Sequence, residues 1–201
     1  YYAALCAAER QQTGAREMLE RFVEDYPNSI YLNDVHFALG TILEKEGDYQ
    51  RAYEHLLTVN PHELPYSRIG EYYYRTGHAA YQNGDEDKAY SYFQNCTTDP
   101  AYAPHATYYK AYIDYTRGDL DAAKSGFASI AELPAYEPII PFYLLQIEFR
   151  QGNYAYVVEH GVPLLNKATG AREIEIARIL SEAYFRQGQY ADALAQIENY
   201  E

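Results

Sequence analysis

Residues 72 to 93 read YYYRTGHAAYQNGDEDKAYSYF, and this stretch decides the fold. Two runs of helical pattern meet at Asn83-Gly84-Asp85. Glycine there can take the left-handed conformation that ends a helix, because it has no Cβ to clash. Asp85 can then accept the open backbone N–H groups of the helix that follows. Gly77 on the first run and Ala89 on the second are the small residues a close helix crossing requires, and Tyr81, Tyr92 and Phe93 fill the space around them. The stretch predicts a helical hairpin.

The second half of this hairpin recurs, opening at Gly47, Gly84, Gly118, Gly152 and Gly188, spaced 37, 34, 34 and 36 residues apart. Five residues on stand Ala52, Ala89, Ala123, Val157 and Ala193; nine on stand Leu56, Phe93, Phe127, Gly161 and Ile197. Seven before stand Gly40, Gly77, Ala111, Leu145 and Ser181. Prolines 27, 61, 100 and 134 fall near the ends of second helices, where they forbid continuation. The copy around Gly152 fits worst, with a large residue at 145 and none at 161. TGARE occurs at both 13–17 and 169–173, 156 residues apart. That interval fits no multiple of the period, so the match is read as coincidence, the first copy within a second helix and the other ahead of a first helix.

A period near 34 residues with a Gly/Ala pair and a closing proline resembles the tetratricopeptide repeat (TPR) family. The resemblance covers nearly the whole chain, although the family's usual first-helix Trp is absent. It implies an all-α, right-handed superhelical solenoid of about six antiparallel helix-turn-helix repeats. Their approximate bounds are 1–27, 28–63, 64–101, 102–136, 137–168 and 169–201. A solenoid buries each hairpin on its neighbours, so one continuous domain is expected. Tyr1-Tyr2-Ala3 begins inside an apolar helical pattern and Glu201 ends one, which suggests a segment of a longer chain.

The formal net charge is −13 and argues against nucleic-acid binding, which needs clustered Lys and Arg. No apolar run approaches the ~18 residues of a membrane-crossing helix. Cys6 and Cys96 fall in different repeats and are expected to be buried apolar residues. Catalytic signatures are missing: no phosphate-binding glycine loop, no nucleophile elbow and no HExxH. The six histidines never pair at i, i+4, and no Cys/His cluster has zinc spacing. Acidic pairs Asp85/Asp87 and Asp119/Asp121 stand at helix starts, where capping explains them better than calcium. Neither enzyme activity, cofactor nor metal is expected.

The informative residue is tyrosine, 25 of 201 with no Trp. Tyr74, His78 and Tyr81 fall at i, i+4, i+7, as do Tyr108, Tyr112 and Tyr115, so each trio shares one helix face. In TPR proteins the first helices line a concave groove. Carrying that register over implies that Phe37, Thr41, Tyr74, His78, Tyr81, Tyr108, Tyr112, Tyr115, Phe142, Gln146, Phe149, Arg178, Phe185 and Arg186 face inward. Rigid aromatics with a polar tip suit recognition surfaces; the plainer alternative is packing between hairpins. The resemblance implies a non-enzymatic scaffold for a protein or peptide partner. A carbohydrate-binding groove and a sensor or spacer region of a larger protein are the alternatives. The chain's tyrosine-rich, acidic style is similar to TPR segments of bacterial cell-envelope proteins, which implies a periplasmic or outer-membrane-associated location, the alternative being cytoplasmic.

Overall fold

The computed structural model describes residues 1–10 and 12–198, which form twelve α-helices, one 3-10 turn and no strand. The helices come in pairs. The first four pairs are α1 (Tyr2–Glu9) with α2 (Ala15–Asp25), α3 (Leu32–Glu46) with α4 (Tyr49–Leu57), α5 (Tyr66–Gln82) with α6 (Glu86–Asn95), and α7 (Ala103–Arg117) with α8 (Leu120–Ile130). The last two are α9 (Ile140–Arg150) with α10 (Tyr154–Leu165), and α11 (Ala171–Arg186) with α12 (Tyr190–Glu198). The extra residues between α4 and α5 hold the 3-10 turn Pro61–Glu63. The chain divides into two compact units, Tyr1–Lys110 and Ala111–Glu201, with the boundary inside α7.

The hairpin turns follow the sequence closely. Gly84 has φ 81°, and its four equivalents lie between 77° and 85°. Asp48, Asp85 and Asp119 each accept the backbone N–H three residues on, at 3.3, 3.1 and 3.1 Å. The acidic helix starts are therefore caps, and no cluster of three or more metal-ligating side chains occurs among the described residues. One expectation fails here. In both TGARE copies a left-handed-φ glycine, Gly14 (88°) or Gly170 (63°), immediately precedes a helix that starts at the alanine. The first copy thus bridges a turn and a helix start rather than lying inside a helix. The copies have in common a positive-φ glycine ahead of a helix that starts at the alanine, but the turns differ: Gly14 is left-handed with ψ −2°, and Gly170 has ψ −138°.

Hairpin closure depends on size complementarity across each crossing. A Cβ on Gly40 would lie 2.5 Å from Leu56 Cγ, and one on Gly77 would lie 2.8 Å from Phe93 Cε1. The fifth hairpin inverts the pattern rather than losing it. There the large residue is Leu145 and the small one Gly161, whose Cβ would meet Leu180 Cδ2 at 2.8 Å and Leu145 Cδ1 at 3.3 Å. Exchanging large and small across the contact keeps the volume filled, which is what a close-packed interior demands. Leu145, Val157, Leu165, Ile176, Ile179 and Leu180 form one buried cluster around it.

The cysteines divide. Cys96 is buried and donates from Sγ to the Gly70 carbonyl at 3.3 Å, and burial, with the Asp99 charge beside it, pushes its thiol up to about 11. Cys6 is exposed, against expectation, while Ala4 and Ala7 are the residues that α1 buries.

Candidate binding surface

The tyrosine trios lie on first helices, as the spacing required, and each is organised by a ring that spacing alone does not single out. In the first unit Tyr109 stands among Tyr74, His78 and Tyr81, with ring centroids 6.4, 5.2 and 5.1 Å away. Tyr109 also stacks on the buried Phe93 at 5.4 Å and 13°. In the second unit Tyr143 takes the same place, 5.8 Å from Tyr112, 5.7 Å from Tyr115 and 6.3 Å from Phe142. It stacks on the buried Phe127 at 4.9 Å and 9°. A signal was available in the sequence: a tyrosine stands sixteen residues after each of the two core phenylalanines. Tyr109 holds the first trio, and Tyr143 holds Tyr112 and Tyr115 of the second, half-buried, with one side of each face committed to the next first helix.

Other nominated residues fall in different settings. Phe37 is fully buried among Leu56, Val59, Leu64 and Tyr72, with the Arg68 guanidinium 4.4 Å over its ring. A ring without exposed surface cannot meet a ligand, so Phe37 is a core residue and not part of a groove. Thr41 is buried too. Tyr108 packs edge-on to Tyr109 in the first unit. Gln146 accepts from the Tyr115 hydroxyl at 3.2 Å, and Arg150 lies 5.2 Å over the Tyr115 ring. Phe142 carries the Arg172 guanidinium at 5.3 Å, and Phe149 packs against Tyr154. Arg178 and Arg186 are exposed and paired with Glu175 and Glu182 at 2.8 and 2.7 Å; Phe185 is 56% exposed.

His78 is the most constrained member. Its Nδ1 bonds Glu44 Oε1 at 2.5 Å while Tyr74 stacks on it and Tyr49 meets it edge-on. Glu44 Oε2 also accepts from Arg75 Nη1 at 2.5 Å, and Arg75 Nε donates to Glu71 at 2.8 Å. Burial works to raise the Glu44 pKa, but the His78 hydrogen bond and the Arg75 charge override it and hold the carboxyl below its usual range. This network joins α3 to α5 beneath the aromatic face.

A separate cleft of about 520 Å³ opens in the first unit on α1, α2, α3 and α5. Leu5, Ala8, Ala38 and Ile42 floor it, and charged side chains of both signs edge it, among them Lys45 and Arg68. On α3 its wall is carried by 38, 41, 42 and 45, rotated by one residue, about 100°, from the face centred on Phe37.

Two histidines do pair, though across a hairpin. His36 Nδ1 and His55 Nδ1 are 2.9 Å apart, so one neutral ring donates to the other. Burial, then the neighbouring ring, lowers the His36 pKa; burial and Arg51 lower that of His55 against the opposing pull of Glu20 and Glu54. The unfolded chain therefore takes up protons first, from about pH 6.5 downward, and the folded state loses stability as pH falls through that range. Melting temperature is expected to drop more between pH 7.5 and 5.5 in the wild type than in a His36→Gln/His55→Gln double variant. Equal drops would mean the pair titrates as it does in the unfolded chain.

Comparison with known proteins agrees with this architecture. A family model described as Tetratricopeptide repeat matches residues 1–29. No curated protein matches the chain by sequence. Among solved structures, a mutant of MamA superposes with a TM-score of 0.69 at 15% identity, covering 83% of this chain and 89% of that one. A tetratricopeptide repeat protein from Parabacteroides merdae gives 0.62 at 18%, covering 98% and 76%. PilF of Pseudomonas aeruginosa gives 0.63 at 17%, covering 98% and 88%. No helix among the described residues is long and apolar enough to cross a membrane. Sequence over the first hairpin and fold over the others agree: the chain resembles the tetratricopeptide repeat family and has its all-α solenoid fold.

Proposed function

We propose that this chain is a non-enzymatic scaffold that holds a protein or peptide segment against the aromatic faces of its first helices. In the first unit the face comprises Tyr74, His78, Tyr81 and Tyr108. In the second it comprises Tyr112, Tyr115, Phe142, Gln146 and Phe149, followed on α11 by Arg178 and Arg186. The observation that carries the reading is the pinning of these rings by Tyr109 and Tyr143. Aromatic side chains already immobilised give up little rotamer entropy when a partner docks. The net charge of −13 adds no affinity for nucleic acid. The setting we favour is the bacterial envelope, periplasmic or outer-membrane-associated, in the assembly of envelope complexes; an open reading frame without an export signal would remove it.

The test is a paired capture from cell-envelope extract. One bait is the wild-type chain; the other carries Tyr81→Ala, Tyr112→Ala and Tyr115→Ala, with circular dichroism matched between them. A protein retained by the first and lost from the second is the expected result. Identical partners on both baits would return the tyrosines to packing between hairpins.

A further inference from the structure

His36 and His55 stand at one level of the second hairpin, eleven residues before and eight after its turn glycine, Gly47. The same two positions hold Tyr73 and Tyr92 in the third hairpin, Thr107 and Gly126 in the fourth, Pro141 and His160 in the fifth, and Ala177 and Gln196 in the sixth. Packing of the repeat therefore accepts many residue pairs here and does not ask for two imidazoles. The Nδ1 atoms are 2.9 Å apart, with the ring planes 32° from parallel. At that distance the two nitrogens share one hydrogen, so at least one of them presents a bare lone pair. Both rings are half-buried, and solvent still reaches them.

The fold holds this pair in place. Gly40, four residues on from His36, crosses beside Leu56, the neighbour of His55, so closely that a Cβ would lie 2.5 Å from Leu56 Cγ. That crossing fixes the two backbones and leaves the rings only rotation about their own side-chain bonds. Metal–nitrogen bonds of about 2.0–2.1 Å closing on nitrogens 2.9 Å apart make an angle of about 90° at the metal. A tetrahedral ion needs about 109°, with its nitrogens about 3.3 Å apart. A right angle is the cis arrangement of tetragonal coordination, which Cu(II) and Ni(II) prefer with nitrogen and oxygen ligands.

We propose that His36 and His55 form a two-imidazole site for Cu2+ or Ni2+ that ties α3 to α4. The ring that donates in the metal-free pair moves its hydrogen from Nδ1 to Nε2, so both Nδ1 lone pairs reach the ion and no proton is released. Each ring also turns to aim that lone pair at the ion instead of at its neighbour. Among the described residues no further His, Cys, Asp or Glu makes a group of three with them, so water fills the remaining positions. Glu20 and Glu54 favour a cation beside His55, and Arg51 opposes it while pairing with Glu20 at 2.7 Å.

Calorimetric titration of the whole chain with Cu2+, Ni2+, Zn2+ and Mg2+ tests it. One Cu2+ per chain is expected, with Ni2+ bound more tightly than Zn2+ and Mg2+ not at all. Paramagnetic resonance of the Cu2+ form should show a tetragonal ion coupled to two nitrogens. His36→Gln and His55→Gln should each weaken binding by about tenfold or more, since even a residue that only orients a ligand is worth about 10–100-fold. His160→Gln, which removes the single imidazole at the matching place in the fifth hairpin, should leave binding unchanged. Melting temperature should rise with Cu2+ in the wild type and not in the two ligand variants, because the ligands meet only in the folded chain. If a variant fails to fold, the wild type decides alone: substoichiometric Cu2+ should broaden the ring resonances of His36 and His55 before those of the other four histidines. Absence of binding overturns the proposal, as do affinity retained in both ligand variants, broadening that starts elsewhere, or Zn2+ bound more tightly than Ni2+. None of these outcomes bears on capture through the tyrosine faces.

Discussion

Replacing Glu44 by alanine is expected to destabilise the first unit by about 3–5 kcal/mol, the range for breaking a buried ion pair from one side. Glu44 is 8% exposed and Arg75 is 7% exposed, and the carboxylate also holds His78. Removing it leaves a buried guanidinium with Glu71 as its remaining carboxylate partner and a ring nitrogen without its acceptor. Urea unfolding followed by far-UV circular dichroism measures the loss, and a second variant assigns it. If the cost lies in the stranded charge, Glu44→Leu/Arg75→Met should be less destabilised than the sum of the two single changes. Acid provides an independent check. The folded-state pKa of Glu44 is depressed, so its contribution is present in full above the unfolded value near 4.5 and disappears as pH falls through the folded one. A loss below about 1 kcal/mol from Glu44→Ala, typical of a solvated pair, would rule out the buried network.

Phe127→Ala is expected to cost a similar amount, about 3–5 kcal/mol, in the second unit. Phe127 is 0% exposed and stacks face to face with Tyr143, which in turn positions Tyr112 and Tyr115. Truncation leaves a cavity beneath the ring that organises the face, so stability and presentation of the tyrosines should fail together. Hydrogen exchange is expected to accelerate in α8 and α9 before the helices of the first unit. Phe127→Leu retains most of the apolar volume and should recover more than half of the loss. If alanine at 127 left both the midpoint and α9 exchange unchanged, the stacking of Tyr143 on this residue would not support the face.

Local physics explains why so much of the fold was legible. Helix ends are decided within three or four residues, and here a positive-φ glycine followed by Asp appears three times: Gly47-Asp48, Gly84-Asp85 and Gly118-Asp119. The period near 34 residues then turns one hairpin into a series, because a single hairpin cannot bury its own apolar stripe. The fifth hairpin fits the pattern worst for an instructive reason. A pattern of sizes at single positions does not reveal that Leu145 and Gly161 exchanged roles, since the constraint acts on the sum across the contact.

The candidate surface was legible only in part. Helical spacing places Tyr74, His78 and Tyr81 on one face, and equally Tyr108, Tyr112 and Tyr115. It does not show how far a face is turned toward solvent, which depends on the crossing angle with the next helix. Phe37 illustrates this: its register matches Tyr74, yet it is fully buried among Leu56, Val59, Leu64 and Tyr72. The His36–His55 pair, nineteen residues apart on two helices, has no signature in i, i+4 spacing at all.

The sequence by itself therefore determined the helical hairpins, their turns and caps, their order, and the resemblance to tetratricopeptide repeats, all of which rest on contacts within one repeat. Only the tertiary structure decided which rings are buried, which charges meet beneath them, and that Tyr109 and Tyr143 organise the tyrosine faces. Those outcomes arise from packing between successive helices, where a rotation of about 100°, one residue of helix, separates a core position from a surface one.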